Sequence, residues 1–247
     1  QADEQQRLLA NIILQGNLHR KPLPRFWYFP RKLKAVLIMT GDDHANGGTI
    51  GRFNHFLTFG NNTPADVLDW KAIRGSSYIY PNTPISDSLA AAFNAQGFEI
   101  ALHLNTNCAG YNLSTLQGFL SNELPLFNGN FPSIPAPTTN RTHCIAWTDW
   151  ASKPKAELQN GIRLNTDYYY WPGSWTLNRP GMFTGSGIPM RYADLDGTII
   201  DNYQAATQLT DETSANYTNF TNALLDKAVG TEGYYGAFCL NIHTDFN

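Results

Sequence analysis

The stretch AVLIMTGDDHANGGT, residues 35–49, places Asp42, Asp43 and His44 at the end of an apolar run of strand length. Two further apolar runs end in a histidine, FEIALH at His103 and FCLNIH at His243. A fourth, NRTHCIAW, carries Arg141 and His143. Carboxylates and imidazoles move protons near neutral pH and hold divalent cations, and a site doing both needs the two types close together. In parallel α/β barrels the C-terminal strand ends share one face, and that face carries the chemistry. The strand ends therefore predict convergence: one carboxylate of the Asp42–Asp43 pair binds a metal ion, and its neighbour does proton work. Taken singly, each feature has an ordinary reading. Asp-Asp after a strand is a turn or helix cap, and a lone histidine is a hydrogen-bonded structural residue. His44 stays open between the two readings. His19 and His55 lack the strand-end context.

The elements that must position these groups follow a repeating grammar. Residues 1–16 read as an amphipathic helix with Leu8, Leu9, Ile12 and Ile13 on one face, closed by Gly16. KPLPRFWYFP is an extended entry segment, because its prolines exclude helix. In ISDSLAAAFNAQGFEIALHLNTN, Ser86 or Asp87 caps a helix that runs to Gln96. Gly97 ends it, and a strand follows over Phe98–His103. DETSANYTNFTNALLDKAVG repeats the pattern as a helix closed by Gly230, with the strand YYGAFCLNIH after it. THCIAW and GIRLNTDYYYW are further strand candidates, whereas residues 104–140 and 172–210 read as long ordered surface loops. Helix, glycine, strand, polar residue is the rhythm of an α/β chain with mostly parallel strands.

Composition sets outer bounds. The 247 residues suit one barrel-type domain, 1–247, with 1–33 as its N-terminal helix and entry segment. The 17 Lys and Arg form no basic run and the net charge is −3, so nucleic acid is excluded as a partner. No apolar run reaches the roughly 18–20 residues that span a bilayer. Low Lys and abundant Asn, Thr and Tyr lean towards a secreted, periplasmic or cell-surface setting. The three cysteines, Cys108, Cys144 and Cys239, have no CxxC spacing. A Cys108–Cys144 bridge and three partly buried thiols are both open.

The motifs, in order, resemble those of the polysaccharide deacetylases, the NodB-homology or carbohydrate esterase family 4-like group. MTGDDH is similar to the first family motif, TFDD, and EIALHLNTN stands where an HxxxH metal motif is expected. Arg141, NTDYYYW and CLNIH follow in the family's order. The resemblance covers about residues 34–247 and implies a distorted (β/α) barrel of the deacetylase type. It implies Asp42 as general base, Asp43 as a metal ligand, Arg141 holding the base and His243 as the acid. Asp167 would hold His243 or Arg141 in place. The chain departs from the pattern at Gly41, which replaces Phe, and at Asn107, which replaces the second His. His143 would then complete a ligand set with Asp43 and His103, with Asn107 as the alternative third ligand. Such a set suits a divalent metal, foremost Zn²⁺. The implied partner is an acetylated polysaccharide or oligosaccharide.

Sugar faces stack on aromatic rings, and YYYWPGSW offers Tyr170, Trp171 and Trp175, with Tyr111, Trp147 and Trp150 elsewhere. GSGIPMRYADLDG reads as a loop closing over the site, with Arg191 and Asp194 either binding hydroxyls or pairing with each other. The leading reading is a metal-dependent hydrolase removing N- or O-linked acetyl groups from a polysaccharide. The alternatives are a hydrolase of non-peptide C–N bonds in small amides, and a non-catalytic glycan-binding module on a decayed scaffold. A two-carboxylate glycosidase would leave the histidines without a role. Because the family barrel continues past the strand that ends at His243, the chain is expected to be a domain of a larger secreted protein.

Overall fold

The computed structural model describes residues 2–17, 29, 31, 33–144, 146–147, 149–167, 187–211, 217–231 and 236–245. In chain order the elements are α1 (Ala2–Gly16), β1 (Ala35–Asp43), α2 (Gly48–Leu57), α3 (Pro64–Leu68), β2 (Ser76–Ile79), α4 (Asp87–Ala95), β3 (Glu99–Leu104) and α5 (Leu113–Asn130). They continue as β4 (Thr139–Thr142), α6 (Ser152–Gln159), β5 (Leu164–Asn165), β6 (Met190–Ala193), β7 (Ile199–Gln204), β8 (Thr207–Thr210), α7 (Tyr217–Val229) and β9 (Gly236–Asn241).

The strands form one sheet in the order β6-β7-β5-β4-β3-β2-β1-β9-β8. Every pairing is parallel except the β6–β7 hairpin at one edge. The two ends of the sheet are linked through one extended segment. β7 pairs with β5, and β8, just beyond Ala205 and Ala206, pairs with β9. The amide of Ala205 donates to Asn165 O and that of Thr207 to Asp167 O, so this segment bridges the sheet back on itself as a distorted barrel. That is the expected fold.

Local chemistry accounts for the elements. The Ser86 hydroxyl accepts from Leu89 N at the start of α4, and Gly97 takes the left-handed conformation (φ 91°) just past its end. Phe53, Phe93 and Phe98 pack with Ile79, Leu102, Leu104 and the buried face of α5 in the main core. A smaller cluster of Leu209, Leu224, Ala228, Phe238 and Leu240 sits beneath α7.

Two stretches read as loops are structured. Residues 104–140 contain α5, whose Leu116, Leu120, Leu124 and Phe127 recur at helical spacing on the buried side. Its Gly118, Pro125 and Gly129 disguise that period in the sequence. Residues 187–210 hold the β6–β7 hairpin and β8. β4 ends at Thr142, so the described residues of THCIAW beyond Thr142 are not strand. α1 forms as expected, but Leu8, Leu9, Ile12 and Ile13 are exposed. No helix among the described residues is long and apolar enough to cross a membrane.

Candidate active site

Side chains alternate along a strand, so residues two apart share a face. Asp42 with His44, Arg141 with His143, and Asn241 with His243 are such pairs, and His103, the penultimate residue of β3, lies beside Arg141 in register. These residues meet at the C-terminal mouth of the barrel. Asp42 is the centre. Its Oδ2 accepts from Asn241 Nδ2 at 2.8 Å and lies 3.9 Å from His243 Nε2. Its Oδ1 lies 3.4 Å from Arg141 Nη1 and 4.0 Å from His103 Nδ1.

Burial alone would raise the Asp42 pKa, but Arg141, His103, His243 and the Asn241 hydrogen bond outweigh it, and the carboxyl stays below its usual range. Arg141 is fully buried and donates to Thr166 O at 3.1 Å (Nε) and 2.9 Å (Nη2), and to the Thr207 hydroxyl. Burial disfavours its charge, yet Asp42 holds it firmly protonated. Burial is also the main reason His103 falls to about 4, which leaves it a neutral imidazole at pH 7.

His243 is fixed from behind by Asp211. The carboxylate takes the ring Nδ1 contact at 2.7 Å and the His243 backbone N–H at 2.7 Å. Asp211 therefore fills the orienting place that the sequence suggested for Asp167. Asp167 is engaged elsewhere: it accepts from Thr142 N at 2.7 Å and pairs with Lys153 Nζ at 3.1 Å. Lys153 in turn pairs with Glu157 at 3.1 Å. This buried network anchors the outer face of β4 while Arg141 projects inward.

Asp43 faces the start of α2. Its Oδ1 accepts from the amides of Asn46 (2.9 Å) and Gly47 (3.0 Å), and its Oδ2 from the amide (2.9 Å) and hydroxyl (2.7 Å) of Thr49. Four donors thus engage both oxygens of the Asp43 carboxylate. Asp43 caps α2, whose N-cap residue Gly47 has no side chain to do so.

The imidazoles cluster. The His44 ring centroid lies 4.8 Å from that of His143, 5.3 Å from His103 and 5.5 Å from His243. Tyr80, directly after β2, stacks on His103 at 5.4 Å and meets His143 edge-on at 5.8 Å. Cys108 and Cys144 form a disulfide that ties the loop after β3 to the loop after β4, beside His143. The Cys108, Cys144 and His143 donor atoms lie within 4.8 Å of one another, but the sulfurs are bonded together and neither is a thiolate. Asn107 is exposed with a left-handed backbone (φ 56°) on the same loop. Tyr111 is a correction as well: it is buried in the core and its hydroxyl donates to Ala146 O at 2.7 Å. Arg191 lies on β6, its guanidinium 6.0 Å from the Tyr203 ring, beside a cleft of about 500 Å³ lined by Trp147, Trp150 and Tyr192. Asp194 pairs with Lys155, not with Arg191. Tyr170, Trp171 and Trp175 lie outside the described residues.

Gly41 also has a structural cause. A Cβ there would stand 1.4 Å from Arg52 Nη1 and 2.2 Å from Ile242 O. Arg52 crosses β1 at this point, donating to Ile242 O at 2.7 Å and to the Ser77 hydroxyl at 2.7 Å. A guanidinium thus occupies the space that a side chain at position 41 would fill. Gly41→Ala is expected to cost about 3 kcal/mol, because a backbone carbonyl cannot yield as a side-chain tip can. Equilibrium denaturation of the variant checks this.

Sequence reading left His44 open and missed Tyr80, Arg52, Asp211 and Asn241. Parity with Asp42 was the available signal for His44. For Asp211 it was the polar residue ending QLTD, the same strand-end cue applied elsewhere.

No family model matches the sequence, and no curated protein matches it. Solved structures do. A protein assigned as a polysaccharide deacetylase from Mycobacterium smegmatis is 14% identical, with a TM-score of 0.51 over 87% of this chain and 79% of that one. The PuuE allantoinase is 10% identical, with a TM-score of 0.53 over 90% of this chain and 82% of that one. The chain thus has the barrel fold of the NodB-type polysaccharide deacetylases, a fold the allantoinase shares.

Proposed function

We propose that this chain is a metal-dependent hydrolase that removes N- or O-linked acetyl groups from a polysaccharide. The observation that carries the reading is the acid–base pair. Asp42 and His243 approach to 3.9 Å at the mouth of the barrel, beside an imidazole cluster. The fit to a cation rests on two buried ring nitrogens, His44 Nε2 and His103 Nε2, that have no hydrogen-bond partner. A bound divalent cation lowers the pKa of a water and polarises a carbonyl.

Asp42, held ionised by Arg141, takes a proton from the attacking water. His243, oriented by Asp211, gives a proton to the departing amine or alkoxide. Neither role is needed for glycan binding alone, which argues against a decayed scaffold. The disulfide fits an oxidising, extracytoplasmic setting. The allantoinase likeness favours a second reading, hydrolysis of C–N bonds in small amides.

The test is acetate release from acetylated xylan and N-acetylated chitin oligosaccharides, with allantoin as the small-amide substrate, before and after chelation. Acetate release that chelation abolishes supports the first reading. Turnover of allantoin alone supports the second. Glycan binding without turnover of either supports the non-catalytic module.

A further inference from the structure

Given the metal-dependent reading above, we infer that the third protein ligand of the cation is His44, with His103 and His143, and that Asp43 is the cap of α2. A metal-ligating histidine characteristically has its second ring nitrogen tied to a carboxylate or a backbone carbonyl, which fixes the tautomer and aims the ring. His44 and His103 both have that arrangement. His44 Nδ1 is 2.9 Å from Asp245 Oδ2, and His103 Nδ1 is 3.0 Å from Arg141 O. In both rings the opposite nitrogen, Nε2, is buried and unpartnered. Leaving a polar nitrogen so is costly, and two in adjacent rings point to a shared ligand.

The spacing agrees. Three imidazoles on one tetrahedral cation, with N–metal distances of about 2.0–2.1 Å, place their ring centroids about 5 Å apart. The centroids of His44, His103 and His143 are separated by 4.8, 5.3 and 5.5 Å. Their donor nitrogens do not form a triplet within 4.8 Å of one another, so loading requires the His143 ring, whose Nδ1 makes weak contacts to the disulfide sulfurs at 3.7 and 3.9 Å, to turn about χ2, a broad torsion, while His44 and His103 keep their tethers. His243 is set apart, because its Nε2 faces Asp42 and its Nδ1 is held by Asp211. Asp43 cannot compete without surrendering the hydrogen bonds that start α2.

The experiment is calorimetric titration of Zn²⁺ into metal-stripped, disulfide-intact protein, repeated for His44→Ala, Asp245→Asn and Asp43→Asn. Circular dichroism melts run alongside. His44→Ala is expected to weaken Zn²⁺ binding about 100-fold or more with its melting temperature little changed. Asp245→Asn should weaken binding about tenfold. Asp43→Asn should melt earlier yet bind one Zn²⁺ per chain. If Asp43→Asn does not fold, the other two variants decide. Wild-type affinity in His44→Ala overturns the inference and leaves the hydrolase reading standing, as does a folded Asp43→Asn that has lost Zn²⁺. A wild-type protein that binds no Zn²⁺ overturns both.

Discussion

Arg141→Met is expected to destabilise the protein by about 3–5 kcal/mol, the cost of leaving a buried charge without its partner. For a chain of this length that corresponds to a fall in melting temperature on the order of 10 °C. Methionine approximates the volume of the stem, so little of this loss comes from a cavity. What disappears is the cation facing Asp42, whose side chain is 3% exposed. Thr166 O also loses both guanidinium donors and keeps the Thr207 hydroxyl at 2.8 Å. Lysine would retain the charge but not the fork that reaches Asp42, Thr166 and Thr207 together, so Arg141→Lys should recover part of the loss. A double variant, Arg141→Met with Asp42→Asn, should be more stable than the sum of the two single effects predicts. Denaturant titration of the four proteins measures this. Strict additivity would mean that the two groups are not coupled.

Arg141 was legible through its place in the motif order that the resemblance supplies and not through an apolar run, since Pro137, Thr138, Thr139 and Asn140 precede it. The main α/β grammar was legible for a different reason. Caps, terminal glycines and apolar strands are local features, and Ser86, Gly97 and the run before His243 all act over a few residues. The division of labour between Asp42 and Asp43 was not local. Both are carboxylates at one strand end, and only the helix that follows decides which is consumed. Gly47 and Thr49 present amides and a hydroxyl to one face of β1, and Asp43 is on that face. Asp42 and His44 are on the other.

The same dependence on distant partners hid Asp211. Its strand, β8, has pairing partners that come from β9 and lies in a segment whose Gly, Pro and Asn content resembles loop. The Arg52 crossing was hidden as well. A glycine at that motif position reads as a loss until the Arg52 guanidinium against it, from α2, is seen. Tyr111 erred in the opposite direction. An aromatic residue near polar loops suggests a binding surface, but the fold buries it in the main core.

Asp42→Asn is expected to lower kcat for acetyl release by about 10²–10⁴-fold, the usual contribution of a positioned general base. The substitution is nearly isosteric and the carboxamide oxygen can still accept from Asn241, but buried Arg141 loses its counter-charge, so a circular dichroism melt of the variant accompanies the kinetics to separate lost stability from lost chemistry. Substrate affinity should change little, because a base acts on the attacking water and not on the bound glycan. The loss should therefore fall on kcat while KM stays near the wild-type value. His243→Gln should give a comparable loss through the leaving-group proton, with a smaller effect on a good leaving group that needs no protonation. Asp211→Asn acts one step removed, through the orientation of His243, and should cost less than His243→Gln. Because the acid and the base serve one reaction, the double variant Asp42→Asn with His243→Gln should lose less than the product of the single losses. Steady-state rates on a p-nitrophenyl acetate analogue and on an acetylated oligosaccharide separate these effects. Full activity in Asp42→Asn, with metal content unchanged, would remove the general base from the proposed chemistry. Arg141 and Asp42 would then serve structure, and another group would take the proton of the attacking water.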